Sequence, residues 1–417
     1  MTHLPDGFLW GAATAAHQIE GNNLNSDFWA REGRMPGKHS AYSGDACDSY
    51  HRYADDIALL AGAGLTCYRF SLEWARIEPR DGRFSRAELL HYRRMIDACF
   101  DRGVTPIVTL NHFTLPLWFA QGGGWKRADA AERFAAYVDY VCDILGDVAW
   151  VVTINEPNML GLMEMMADTF AGVSEQARAA VAASDEAPDS RIETIGMASL
   201  GLPTEDFARR IGDAHRAAVG IVRARTDAKV GWAIAVQSFV AADDSPRTAA
   251  AVDELNHSWE DVYFASCAGD DFVGVQSYGV KEVGPEGPLP TPPHPDNTLT
   301  GMAFRPDALG VALRRAIDRT GLPVLVTENG IATSRDSQRI DYIDGAVAAV
   351  EQVVAEGATV LGYCHWSLLD NYEWGSWEPT FGLIAVDRDN DFARTPKPSL
   401  VHLGRLARRT ASLAQTG

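Results

Sequence analysis

The 417-residue chain predicts a single closed (β/α)8 barrel, the TIM-barrel class, with extended βα loops. Three observations carry the prediction. Eight short apolar runs alternate with stretches of helical periodicity. Two of those runs, Val151-Val152-Thr153-Ile154 and Val324-Leu325-Val326-Thr327, close on acidic segments, Asn155-Glu156-Pro157 and Glu328-Asn329-Gly330. No internal repeat or linker divides the sequence, so residues 1–417 read as one domain. Strand and helix in strict alternation require parallel pairing with crossover helices. Eight such units favour closure, although periodicity by itself is also compatible with an open doubly wound sheet.

In chain order the strand-like runs fall at residues 8–15, 66–70, 105–110, 151–154, 230–236, 271–275, 324–326 and 360–366. Helical periodicity lies between them, over 55–60, 87–100, 130–145, 206–223, 307–319 and 340–355. Two stretches break the rhythm. Residues 167–203 are rich in Ala, Ser, Asp and Gly, and residues 283–306 carry Pro285, Pro288, Pro290, Pro292, Pro293 and Pro295. Loops of this length inside a compact domain are commonly functional or disordered; both passive insertions and walls of a substrate mouth fit them.

Composition narrows the partners. The formal net charge of -19 disfavours nucleic acid and anionic membranes, which are polyanions needing Lys/Arg patches. No basic start leads into a long apolar stretch, and no apolar run approaches the roughly 18 residues of a membrane span. The six cysteines (Cys47, Cys67, Cys99, Cys142, Cys267, Cys364) show no C-x-x-C spacing and read as reduced, buried thiols of a cytoplasmic protein, with no metal site and no disulfide framework. Asn256-His257-Ser258 matches a glycosylation sequon by chance in such a setting.

The ends of the runs carry the chemistry. An ionised carboxylate is costly to bury alone, so Glu156 and Glu328, each closing an apolar strand, need a reason beyond local capping, and as a pair they point to acid and base work. The other run ends supply Gln18-Ile19-Glu20-Gly21, Arg69-Phe70-Ser71, Asn111-His112-Phe113, Gln276-Ser277-Tyr278, and Trp366 with Glu373-Trp374. In a barrel these carboxyl ends share one face. Amides, imidazole, carboxylates and indoles together describe a sugar pocket, with polar groups for hydroxyls and flat rings for the C–H face of a pyranose. A phosphate pocket would bring Gly-rich loops and Lys/Arg, which these segments lack.

These segments resemble glycoside hydrolase family 1, the retaining β-glucosidase and β-galactosidase group. The resemblance rests on Phe8-Leu9-Trp10-Gly11-Ala12-Ala13-Thr14 with Gln18 to Gly21, Tyr68-Arg69-Phe70-Ser71, Thr153 to Pro157, Thr327 to Gly330 and Trp366-Ser367-Leu368-Leu369-Asp370-Asn371-Tyr372-Glu373-Trp374. Phe381-Gly382-Leu383 and Arg394-Thr395-Pro396-Lys397 extend it almost to the C-terminus. It implies a cofactor-free hydrolase of terminal, unphosphorylated β-D-glycosides. In it Glu328 is the nucleophile and Glu156 the acid/base, with Arg69 and Tyr278 keeping Glu328 ionised and Asn155 donating to the sugar 2-hydroxyl. It further implies Gln18, His112 and Glu373 as hydroxyl ligands, Trp366 as the stacking floor, and Trp374 and Phe381 as further contacts. A carboxylate at Glu373 would repel a 6-phosphate.

The chain departs from the family pattern at Gln276-Ser277 (usually Asn-Tyr), at Asn111, at His17 and beyond Pro157, changes expected to fall mainly around the aglycone side. Two rival readings are an endo-acting glycanase of a related barrel and a non-catalytic sugar-binding barrel. The second has no use for two mutually repelling carboxylates.

Overall fold

A computed structural model describes residues 4–32, 41–163 and 204–414. The stretch 167–203 singled out above lies outside the described residues. Eight parallel strands close a barrel: β1 (Leu9–Ala13), β2 (Cys67–Ser71), β3 (Thr105–Asn111), β4 (Trp150–Asn155), β5 (Lys229–Ala235), β6 (Val273–Ser277), β7 (Val324–Asn329) and β8 (Val360–Trp366). Each pairs with its neighbours in sequence, and β1 pairs with β8 through Leu9↔Gly362 to Ala13↔Trp366.

Eight helices follow the strands in turn: α1 (Ser49–Ala63), α2 (Arg86–Phe100), α3 (Ala130–Val141), α4 (Glu205–Arg225), α5 (Pro246–Asn256), α6 (Ala308–Thr320), α7 (Asp336–Ala355) and α8 (Pro398–Ala414). Local chemistry starts several of them. Ser85, Thr204 and Ser245 each accept a hydrogen bond from a backbone N–H of the first turn, and Pro246 occupies the first position of α5, where its missing N–H costs nothing. Periodicity did not single out α5, because its Ala-rich face buries only Thr248 and Leu255. The Pro-rich stretch 283–306 is not wholly irregular: Lys281–Gly284 pairs with Phe239–Ala241 and with Gly287–Pro288 in a small three-stranded sheet beside the barrel.

The core has two layers. Outside the strands, Leu60 of α1, Ile96 of α2, Val138 of α3, Ile211 of α4, Leu313 of α6, Val350 of α7 and Leu403 of α8 are fully buried against the sheet. Truncating one such Leu or Ile costs about 2–5 kcal/mol, whereas exposed ion pairs such as Arg209 with Asp206 are solvent-screened and add little, so packing holds the fold. Inside the barrel, Ala13, Cys67, Ile107, Val152, Ala233, Leu325 and Cys364 form an inner layer.

Side chains alternate faces along a strand, so Arg69, two residues after Cys67, also points inward, one layer higher. Asn155 and Glu328 lie three residues after Val152 and Leu325, and regular alternation would turn both outward. Register shifts between Val152 and Asn155 and between Val326 and Glu328 break that phase, so that both side chains meet Arg69 inside the barrel. Gly330 lets the chain leave β7 close to β8, since a Cβ there would sit 2.1 Å from the Trp366 carbonyl oxygen.

Candidate active site

At the carboxyl ends of the strands the guanidinium of Arg69, fully buried, is the hub. Its Nη1 donates to Glu328 Oε1 at 2.5 Å and to the Thr327 carbonyl at 3.3 Å, its Nη2 to Asn155 Oδ1 at 2.5 Å, and its Nε to Thr109 Oγ1 at 3.0 Å. Tyr278 donates its hydroxyl to the other Glu328 oxygen at 2.5 Å. Burial, then the charge of Glu328, push the tyrosine's pKa far up, so it remains a phenol and a donor.

Glu156 follows β4 directly. Its backbone sits in the left-handed region at φ 41°, and its N–H donates to the Ala233 carbonyl at 2.8 Å. That conformation is uncommon for a residue with a Cβ and is held here by the neighbouring strand. Among the described residues no side chain hydrogen-bonds its carboxyl, in contrast to Glu328. Burial and then the charge of Glu328 raise Glu156 well above the ordinary carboxylate range, with Arg69 opposing. Burial also raises Glu328, but Arg69 and Tyr278 both pull it down. The expectation of a nucleophile simply kept ionised by two partners therefore takes a relative form: Glu328 gives up its proton first, Glu156 second.

A second group surrounds Glu373. Its carboxyl accepts from Trp366 Nε1 at 3.2 Å, Asn371 Nδ2 at 3.0 Å and Gln18 Nε2 at 3.1 Å, and Gln18 also donates to the Tyr372 carbonyl at 2.8 Å. Burial pushes Glu373 up to about 8. Gln18 Oε1 is buried without a partner and can accept from a bound hydroxyl. His112 is neutral, since burial and then Arg69 hold it well below its usual pKa, and its ring lies 3.3 Å from Asn155 Nδ2 through Nε2. With Nε2 as acceptor there, the proton rests on Nδ1, which is also buried and unpartnered.

Four rings stack in a near-parallel column: His17 on Trp374 (centroids 5.7 Å, planes 8° apart), Trp374 on His112 (6.2 Å, 12°), and His112 on Trp366 (5.8 Å, 17°). Phe381 stands apart, edge-on to Tyr278 at 5.9 Å. The structure thus gathers Glu156, Glu328, Arg69, Asn155, Tyr278, Gln18, His112, Trp366, Glu373, Trp374 and Phe381 around one mouth. Among the described residues no group of three or more His, Cys, Asp or Glu side chains is arranged to hold a metal.

Three of the departures make supporting contacts to other residues of the mouth. Gln276 Nε2 donates to Asn155 Oδ1 at 2.7 Å. Asn111 Nδ2 donates to the Thr114 carbonyl at 2.9 Å and pins the turn bearing His112. His17 lies behind Trp374, with Nε2 2.9 Å from Glu32 and Nδ1 3.1 Å from Asn23. All three hold residues of the mouth in place: Asn155, the turn bearing His112, and Trp374. Sequence reasoning missed these roles, together with those of Thr109 and Asn371, because supporting contacts leave no spacing signal; the departures were the available clue.

A family model described as Glycosyl hydrolase family 1 matches residues 1–195 and 277–411. The thermostable beta-glucosidase B of Thermobispora bispora is 32% identical over 97% of this chain and 90% of its own length. A bifunctional beta-D-glucosidase/beta-D-fucosidase of Bifidobacterium breve is 30% identical over 93% and 94%. Among solved structures, that of an apo beta-glucosidase, 1317, superposes with a TM-score of 0.84 at 42% identity, covering 97% of this chain and 98% of its own.

Proposed function

The chain belongs to glycosyl hydrolase family 1 and is a glycoside hydrolase, and from that premise we propose a retaining exo-β-glycosidase working through a covalent glycosyl-enzyme. The observation that carries the mechanism is the inequality of the two carboxyls: Glu328 is gripped by Arg69 and Tyr278, while Glu156 is free of described side-chain partners and holds its proton harder. In the first step Glu328 bonds to the anomeric carbon as the glycosidic C–O bond breaks and Glu156 gives its proton to the departing oxygen. In the second, Glu156 takes a proton from water, the water oxygen bonds to the same carbon, and Glu328 leaves. Two inversions give net retention.

Asn155 donates to the 2-hydroxyl as positive charge develops on the ring, Gln18, His112 and Glu373 bind the other hydroxyls, Trp366 presents a ring face, Trp374 makes a further contact, and Phe381 lines the same subsite. None of these steps calls for a metal or cofactor. We read residues 1–417 as one catalytic domain acting in the cytoplasm. Six free, buried cysteines support a reducing compartment, and no described helix is long and apolar enough to cross a membrane.

β-D-Glucosides are the first substrates to expect, with β-galactosides and β-fucosides next, in keeping with the names of the relatives. Phosphorylated sugars are disfavoured, and repulsion by Glu373 is only part of the reason. Burial pushes Glu373 up to about 8 while three donors to its carboxyl pull it down, so its repulsion of a phosphate is partial near neutral pH. A 6-phosphate placed there would meet donors already committed to Glu373 and no cation, so its desolvation goes uncompensated. On a panel of 4-nitrophenyl β-glycosides, the 6-phosphoglucoside should be turned over about 100-fold or more below the glucoside. Proton NMR of the first-formed sugar should show the β-anomer; an α-anomer would exclude the double displacement.

The same inequality fixes the pH dependence. The nucleophile works only when ionised, so kcat/KM falls as pH drops through the Glu328 titration. The acid works only when protonated, so it falls again as pH rises through that of Glu156. The alkaline limb should lie well above the ordinary carboxylate range of about 4.3. A limb at the ordinary value would mean Glu156 is not the acid.

A further inference from the structure

We propose that Gln276 is a positioning residue for the reaction, acting through Asn155 on the 2-hydroxyl of the sugar; this rests on the role given to Asn155 above. Gln276 lies at the end of β6, is 1% exposed, and reaches Asn155 Oδ1 with its Nε2 at 2.7 Å. That oxygen also accepts from Arg69 Nη2 at 2.5 Å. Two donors on one oxygen settle which way the Asn155 carboxamide faces, so its Nδ2 is the end left to donate. The Nδ2 contact to His112 Nε2 is long, at 3.3 Å, and a substrate hydroxyl is a better acceptor placed in the same space.

Arg69 alone is a poor guardian of this orientation. The same guanidinium pairs with Glu328, whose negative charge disappears when the carboxylate becomes an ester with the sugar and returns when the ester is cleaved. The pull on Arg69 therefore changes through each turnover. Gln276 is neutral, so its bond to Asn155 carries no ionic pull to lose, and its side chain also lies against Glu328 and helps hold that carboxyl down.

The other end of the Gln276 amide sharpens the point. Its Oε1 is buried with no hydrogen-bond partner, an arrangement that costs free energy and that an apolar side chain of the same size would avoid. What the position retains at that cost is the donor.

The test pairs Gln276→Met, which keeps the volume and removes the donor, with Asn155→Ala and the double variant. Each is assayed on 4-nitrophenyl β-D-glucoside and on its 2-deoxy analogue. Gln276→Met should lower kcat on the glucoside about 10- to 100-fold while leaving the 2-deoxy rate within about 3-fold. The surviving 2-deoxy rate reports an intact fold. The double variant should be no slower on the glucoside than Asn155→Ala alone, because the two residues serve one interaction. Equal losses on both substrates, or additive losses in the double variant, would overturn the proposal. An Asn155→Ala substitution that slows the glucoside alone, beside a Gln276→Met substitution that slows both substrates equally, sinks this proposal alone. An Asn155→Ala substitution that slows both substrates equally sinks it together with the role of Asn155.

Discussion

Glu328→Ala should reduce turnover of an aryl β-glucoside by about 10⁴-fold or more, because the double displacement has no first step without an attacking carboxylate. The variant has a second consequence. It leaves Arg69, fully buried, facing an empty space where its counter-charge stood, and losing one partner of a buried ion pair costs about 3–5 kcal/mol of stability. A thermal melt therefore belongs beside the rate measurement. Glu328→Gln keeps the shape and a hydrogen-bond acceptor for Arg69, so it should be equally inactive and closer to the parent in stability. An unchanged rate in a well-folded variant would mean that the attacking group lies elsewhere.

Removing the acid gives a different pattern, and the difference separates the two carboxyls. Glu156→Ala should lower kcat/KM about 10²- to 10⁴-fold for alkyl glycosides and disaccharides, whose leaving oxygens need a proton. For 2,4-dinitrophenyl β-glucoside, whose leaving group departs as a stable anion, formation of the glycosyl-enzyme should be nearly unaffected. The same variant should lose the alkaline limb of its pH profile for the nitrophenyl substrate, since that limb is the deprotonation of the group removed. A uniform loss across all leaving groups would show Glu156 acting through structure instead. Because its carboxyl has no described side-chain partner, this substitution should disturb the fold far less than Glu328→Ala.

How much of this was legible in the sequence differs from layer to layer. All eight barrel strands lie at or within a few residues of the apolar runs, because a strand buried on both faces has to be written in continuous apolar residues. The residues at the mouth could be named because strand ends of a barrel converge. What periodicity could not give was the direction of the two decisive side chains. Strict alternation would place Glu328 opposite Leu325 and Asn155 opposite Val152, and only the register shifts bring them inward. A bulge inserts a phase change that looks, in sequence, like any other residue. The bracing contacts were hidden for a related reason: Gln276, Asn111 and His17 act at right angles to the chain, on partners far away in sequence.

Closure between β1 and β8 also bears on how the protein comes into being. The mouth is assembled from both ends of the polypeptide: Gln18, near the start, bonds to Tyr372 and Glu373, more than 350 residues later. On a ribosome, the first strand must wait for almost the entire chain before it has its second neighbour, and a sheet with an open edge is exposed to wrong pairings in the meantime. Sugar binding is therefore a late event by construction. A nascent chain stalled before β8 holds Glu156 and Glu328 yet lacks Trp366 and Glu373, so the mouth is complete only once the chain beyond the last strand has emerged.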